Sequence, residues 1–494
     1  MPSPRNVRLA RSVTALSAVI LGGVLAGCGG GAHQPTKDGA TTSSAASTPA
    51  PSTSASIPPP IPGSHTVGAS LTLSGACTDP QAGNAEVTQA VDATRGYVYE
   101  SWISCDGAAF ARSVDGGKHF GAPVTLPGST PSGTVHLSDG PAIAVAPDGA
   151  VYVTFALIDG RFPNPTRMYP VVDVSFDHGS SFPQKRLLTP PGDHNFADRP
   201  YIAVDAHGTA YVTWDYSPRV SSLVLAADAS GSGYFKAGNL NLVVQSSTDQ
   251  GRSWGPIRYV AKGSDVGKII AEPGGRLDIL YEGHHLSADG LYTLSPGEEY
   301  FTSSTDGGRD WSAPVQVGPQ AGSVALDAWW IDSALGVDSA GNLYASWDTQ
   351  VSGRDESWLA HSTDGGRNWS APVRVTADTP KSAHILDLAG GWPGVVYVAW
   401  LTGGYGHPYA EYLRPYSVAH GWLSAPIQVS RVNGTPSTWP GDTIGVSVLP
   451  GQTAGADAAT GQRVLLSWGS APQTVAGSTS RIYFSTVYFA KAVG

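Results

Sequence analysis

Residues 303–317 read SSTDGGRDWSAPVQV: a serine and an aspartate two positions apart, two glycines, a tryptophan, then an alternating apolar run. The same word returns at 246–254 as SSTDQGRSW and at 361–372 as HSTDGGRNWSAP. Five copies of Ser-x-Asp-x-Gly occur, centred on Asp115, Asp177, Asp249, Asp306 and Asp364, each followed by an aromatic, Phe120, Phe182, Trp254, Trp311 or Trp369. A catalytic group is rarely needed five times, whereas a turn is. The carboxylate can accept backbone N–H groups of a tight turn, glycine relieves its strained dihedrals, and the aromatic can pack under the next strand.

A second word is a short strand ending in an aromatic: VYESW at Trp102, VYVTF at Phe155, AYVTW at Trp214, LDILY at Tyr281, LYASW at Trp347, VYVAW at Trp400 and VLLSW at Trp468. A glycine-bearing turn such as APDG, DAHG, EPGG or DSAG precedes it, and before most turns stands another β-rich run: AIAVA, YIAVD, KIIAE, HILDL or GVSVL. Each such pair reads as an antiparallel hairpin. The Ser-x-Asp word closes a third strand, and runs such as APVQV and APVRV supply a fourth. The seven marker aromatics lie 53, 59, 67, 66, 53 and 68 residues apart. The expected fold is all-β, a seven-bladed β-propeller of four-stranded antiparallel blades, with a six-bladed ring as the alternative. After Trp468 only RIYFSTVYF at 481–489 remains, so the last blade lacks a fourth strand. The alternating run TVGASLTLSG at 66–75 is expected to supply it by pairing with 481–489, which removes an exposed sheet edge.

The five words resemble the Asp box, S/T-x-D-x-G-x-x-W/F, of sialidases, sortilin-type receptors, some glucanases and a photosystem assembly factor. The resemblance covers most of residues 84–489 and is specific for fold. In those families the box sits on an outer turn away from the ligand, so it says little about activity. WD dipeptides occur at Trp214-Asp215 and Trp347-Asp348, but WD repeats have a shorter period.

The N-terminus carries Arg5, Arg8 and Arg11, then the apolar VTALSAVILGGVLAGC, too short to span a bilayer permanently. Leu25-Ala26-Gly27-Cys28 resembles the lipobox of bacterial lipoproteins. That resemblance implies a signal peptide over 1–27, lipidation of Cys28, and a membrane-anchored protein facing the extracytoplasmic side. Residues 28–63 follow as a tether rich in Ser, Thr and Pro, and 64–494 as the propeller. Loss of the leader's three arginines moves the formal charge from −10 to −13. On net charge alone, nucleic acid and anionic lipid are poor partners. In an exported chain Cys77 and Cys105 are expected to form a disulfide. No phosphate-binding loop and no G-x-S-x-G elbow stands out, no cofactor is expected, and the chain is expected to be a monomer.

Propellers usually bind ligands at the channel mouth, where innermost strands begin and the loops after the second strands converge. Candidates at inner-strand starts are His194, Asp198, Arg199, Trp330, Trp439 and Asp442; candidates after second strands are Asp215, Glu282, His284 and Asp348. Carboxylates beside flat aromatic faces suit sugar rings, so a glycan or protein ligand is expected. The pair His284-His285 beside Glu282 does not make a metal site, because neighbours on an extended segment point to opposite faces. The alternative is an exo-glycosidase of sialidase type. For it, the resemblance implies an arginine triad, a Tyr-Glu nucleophile pair and an acid/base aspartate. Asp198-Arg199-Pro200-Tyr201 is the nearest match to the family's F/Y-R-I-P word, but it stands in the third blade. Arg112, Arg252, Arg309 and Arg367 belong to outer turns, which leaves Arg276, Arg414, Arg463 and Arg481 for a triad. The replacement Cys28→Ser is expected to release the protein from membranes or block its processing, read as its disappearance from the detergent phase on partitioning.

Overall fold

The computed structural model describes residues 60–78, 83–161, 164–189, 194–227, 234–238, 240–283, 297–321, 333–351, 354–376, 383–404, 407–430, 441–450, 461–470 and 480–493. It is a seven-bladed β-propeller of antiparallel sheets. The innermost strands are Ala85–Asp92, Val135–Val145, Phe196–Val204, Ser264–Ala271, Ser333–Val337, Ala383–Gly390 and Gly445–Pro450, one per blade in chain order. Each touches the innermost strand of the next blade, and the last touches the first, so the ring is closed. Blade 3 carries an extra hairpin, Leu223–Ala227 with Tyr234–Gly238. Among the described residues no helix is long and apolar enough to cross a membrane.

The second strands show how a short word encodes the packing. Tyr99, Tyr152, Tyr344 and Tyr397 stand three positions before Trp102, Phe155, Trp347 and Trp400, and residues three apart on a strand face opposite sides. Tyr99 packs with blade 2 around Val153 and Phe155, while Trp102 packs with blade 7 around Leu465 and Phe484. Tyr397 likewise turns to blade 7 and Trp400 to blade 5. Every blade therefore builds its core jointly with both neighbours, and the tryptophans at 102, 214, 347, 400 and 468 are fully buried.

The Ser-x-Asp-x-Gly turns fasten one blade to the one before. In the fifth, Ser362 Oγ donates to Asp364 Oδ1 at 2.9 Å, and the N–H groups of Arg367 and Asn368 donate to the same oxygen at 3.1 and 3.0 Å. The residue after the aspartate is left-handed in every copy, at φ between 57° and 77°. That conformation turns its carbonyl toward the preceding blade. Gly116 O accepts from Arg463, His178 O from Arg112, Gln250 O from Gln184 and Gly365 O from Arg276, at 2.7–3.1 Å. In three turns the next glycine lies against a ring of that same blade. A Cβ at Gly117 would fall 2.6 Å from Phe484, at Gly179 2.7 Å from Phe110, and at Gly366 2.1 Å from Phe301.

The motif's aromatic reaches further than the next strand. Phe120 packs on Phe484 of blade 7, Phe182 on Phe110 of blade 1 and Trp369 on Phe301 of blade 4, with ring centroids 4.9, 4.8 and 5.4 Å apart. They pack on the preceding blade, and Phe182 also shares a cluster with Val153, Phe155 and Val171 of its own blade.

Ring closure follows the expected pairing. Thr66 and Val67 face Tyr488 and Val487, and Leu71 and Thr72 face Phe484 and Tyr483. The strand starts earlier than its composition suggests: Pro60, Ile61 and Pro62 pair with Val493, Ala492 and Lys491, inside the stretch read as tether. Proline is tolerated there because this is the outermost strand of its blade, where an N–H can be absent without breaking a ladder. Cys77 and Cys105 are joined, with Cα atoms 5.4 Å apart. Beside them the Asn84 side chain donates to Gly75 O and Ser480 O and accepts from Trp102 Nε1, each at 3.0 Å, knitting blades 7 and 1.

Deleting 60–76 should unpair the seam and lower the melting temperature by many degrees, while deleting 29–59 should move it by no more than about 1–2 °C. Differential scanning calorimetry of the two truncations checks this. The turn carboxylates set a pH dependence. Hydrogen bonds from the Asn368 side chain, then its N–H, lower the Asp364 carboxyl from 3.8 to about 2. Its folded value lies below the unfolded one, so the stabilisation is complete above the unfolded value and is lost as pH falls through the folded one. Asp364→Asn should therefore melt below the parent at pH 7, and the gap should close between about pH 4 and pH 2.

Candidate ligand-binding site

The inner strands of blades 1, 2, 3, 4 and 6 each carry a register shift near the start. Such bulges re-aim side chains and leave backbone groups without ladder partners. Three residues at these shifts are left-handed without being glycine: Glu86 at φ 51°, Arg199 at 46° and Ile385 at 49°. Side chains of neighbouring blades meet the freed carbonyls. Thr88 Oγ1 donates to Pro141 O at 2.8 Å, Thr443 Oγ1 to Val87 O at 3.2 Å and Thr213 Oγ1 to Gly267 O at 2.7 Å.

Glu86, Thr88, Arg199, Tyr201, Asp442 and Thr443 line one cavity at this end of the ring, drawn from blades 1, 3 and 7. Gly140 and Gly441 let the backbones close on Glu86: a Cβ would stand 2.3 Å from Glu86 Oε2 at the first and 2.0 Å from Glu86 N at the second. Across the channel Arg199 Nη2 meets Asp442 Oδ2 at 3.2 Å, both side chains mostly buried. A second ion pair crosses deeper between blades 4 and 6, Lys268 Nζ to Asp387 Oδ1 at 2.6 Å. Beside it Glu411 is wholly buried. Burial first, and the Asp387 charge second, push its carboxyl well above the usual carboxylate range.

Of the candidates read from sequence, Arg199 and Asp442 meet in this cavity. Asp198 and Asp215 are cross-strand partners in blade 3, both buried. Glu282 is buried in blade 4 between Asp265 and Glu299 on the flanking strands. Asp348 accepts from Ser357 Oγ in blade 5. His194 stands apart, exposed in an open groove with Thr166 and Arg219. His284, Trp330 and Trp439 lie outside the described residues. Glu86 went unnoticed, although aligning Glu86-Val87-Thr88 with Arg199-Pro200-Tyr201 ahead of their inner strands puts it in the Arg199 position. Lys268, Asp387 and Glu411 carry no sequence signal of their own, being single polar residues inside apolar runs.

Of the four arginines left for a triad, three serve the scaffold, and Arg481 stands opposite Ser470 on the third strand of blade 7. Arg276 and Arg463 hold the turns of the next blade, and Arg414 donates to Ser424 O and Val375 O with its guanidinium 4.6 Å over Trp422. Of the described arginines, Arg199 is the one that lines the cavity. Among the described residues no three His, Cys, Asp or Glu side chains gather as a metal site would need. This end of the ring thus gathers carboxylates, a guanidinium and threonine hydroxyls around a cavity of about 20 Å³.

No protein-family model matches this sequence, and neither does any curated protein. Solved structures do resemble the fold. A protein of unknown function from Dyadobacter fermentans aligns with a TM-score of 0.46 at 15% identity, over 72% of this chain and 96% of that one. The Trypanosoma rangeli sialidase in complex with the inhibitor DANA gives 0.46 at 11% identity over 72% of this chain, and the match spans only 60% of the sialidase. A PL25 ulvan lyase gives 0.47 at 12% identity, over 83% and 94%.

Proposed function

We propose that the chain is an exported Asp-box propeller of the sialidase-like group, anchored to the membrane through a lipidated Cys28, that binds a glycan at its channel mouth without hydrolysing it. The observation that carries this reading is the polar cluster at one end of the ring, the Arg199–Asp442 pair with Glu86, Thr88 and Thr443; the cavity between them, about 20 Å³, holds no more than a water, so a sugar would rest across the cluster rather than enter it. Fixed donors and acceptors beside a tyrosine ring complement the hydroxyl rim and C–H face of a sugar. The glycosidase alternative needs several arginines on one substrate carboxylate, and Arg199 stands alone among the described arginines of this cavity.

A glycan array probed with the full chain, paired with a fluorogenic sialoside assay, tests the reading. Binding without turnover is expected, and Arg199→Ala should weaken it about 10–100-fold by removing a charged hydrogen-bond donor. Sialoside hydrolysis that disappears in Arg199→Ala would establish the glycosidase instead. An unchanged array profile in that variant would move the site away from this cavity.

A further inference from the structure

Large apolar side chains are exposed on one sector of the ring. Val114 and Val124 of blade 1, Phe176 and Leu187 of blade 2, and Tyr259 of blade 3 are 37–55% accessible, and among the described residues no large apolar side chain of blades 4–7 is as open. All five stand on outermost strands or on the turns leading into them.

Exposed cations share that sector. Lys118 follows the first turn; Lys185 and Arg186 lie on the outermost strand Gln184–Leu187, and Arg258 and Lys262 on Arg258–Lys262, neither of which holds an acid. Arg252 sits with its guanidinium 5.2 Å over the Phe176 ring, and Arg186 Nε donates to its carbonyl at 3.1 Å. Elsewhere the outer strands are nearly uncharged: Val315–Ala321, Gly421–Trp422 and Ile427–Gln428 have no charge, and Val373–Arg374 has Arg374, paired with Glu356. The turn aspartates of the same blades, Asp115, Asp177 and Asp249, accept from the N–H groups of their own turns and keep their charge, so the excess of cations lies on the outermost strands Gln184–Leu187 and Arg258–Lys262.

We infer that the outer rim of blades 1–3 is a docking surface for a bilayer with anionic headgroups. Cations interleaved with aromatic and aliphatic side chains match the headgroup boundary, where the cations meet phosphate and the apolar groups enter the acyl margin. A soluble polyanion would use the cations and leave Phe176, Leu187 and Val124 unexplained. Chain direction fits as well: Pro60 begins the outermost strand of blade 7, the blade beside blade 1, and Cys28 precedes it in sequence. The surface rests on the rim residues alone; the lipidated-cysteine reading adds only that a bilayer is within reach. Docked by its rim, the ring stands edge-on to the membrane and its channel mouth opens sideways.

The test uses residues 29–494, so that neither an acyl chain nor the arginine-bearing apolar leader contributes, in sedimentation with phosphatidylglycerol-containing vesicles and with phosphatidylcholine vesicles. Binding to the acidic vesicles that weakens in salt is expected, with little to the neutral ones. Arg252→Glu with Arg258→Glu should weaken it roughly tenfold or more. The equal charge change Arg309→Glu with Arg367→Glu, on blades 4 and 5, should leave it nearly unchanged, and Phe176→Ser should weaken it at unchanged net charge. Melting curves establish that each variant is folded. No binding to acidic vesicles, or equal losses in both charge-reversal pairs, overturns the inference; heparin binding with an unaffected Phe176→Ser variant makes the rim a polyanion site instead. Detergent partitioning of cells carrying native Cys28 reports on the anchor separately, so either idea can fail alone.

Discussion

A backbone carbonyl offered to the blade behind it is the interaction on which this ring depends. The aspartate of each Ser-x-Asp-x-Gly turn gathers the turn's own N–H groups, which fixes the next residue in the left-handed region and points its C=O across the blade boundary. Arg463, Arg112, Gln184 and Arg276 meet four of the five carbonyls. In three of the five turns the following glycine, Gly117, Gly179 or Gly366, lets a ring of the preceding blade come closer than any Cβ would allow. One local motif thereby sets both the polar register and the apolar contact between blades.

Because each blade shares its core with two neighbours, none has a complete core alone. The last sheet is finished by the first strand, and the Cys77–Cys105 link and Asn84 reinforce that seam. A ring closed in this way is stiff, and it holds Glu86 and Arg199 in backbone conformations that cost on the order of 1–3 kcal/mol each. The strain lies where the inner strands bulge and where Arg199 reaches Asp442.

The carboxylates divide into two populations with opposite electrostatics. Those in the outer turns are held low by hydrogen bonds, as at Asp364. Two between blades are pushed up by burial: Glu100, fully enclosed near Ser467 of blade 7, rises to about 8, and Asp173, which accepts from Gly128 N–H, rises to about 6. Acidic net charge therefore says little about any one surface. Some acids are interior, and the outermost strands Gln184–Leu187 and Arg258–Lys262 hold cations and no acid.

The all-β class, the blade count and the closing strand were legible because they rest on periodicities of two residues and of one blade, and a repeated word discloses its own period. The scaffold role of the Asp turns was legible for the same reason. Arg199 and Asp442 were legible as polar residues at inner-strand starts, but that they meet was not, since 243 positions separate them and only ring closure brings blades 3 and 7 together. Glu86, Lys268 and Asp387 stayed hidden because a bulge, which no composition marks, decides which way a strand residue points. The sequence by itself determined the repeating unit, since local alternation and turn chemistry act within a blade. The tertiary structure alone decided which blades' side chains face each other across the channel and which rim is left open, because those depend on the angle at which seven blades close.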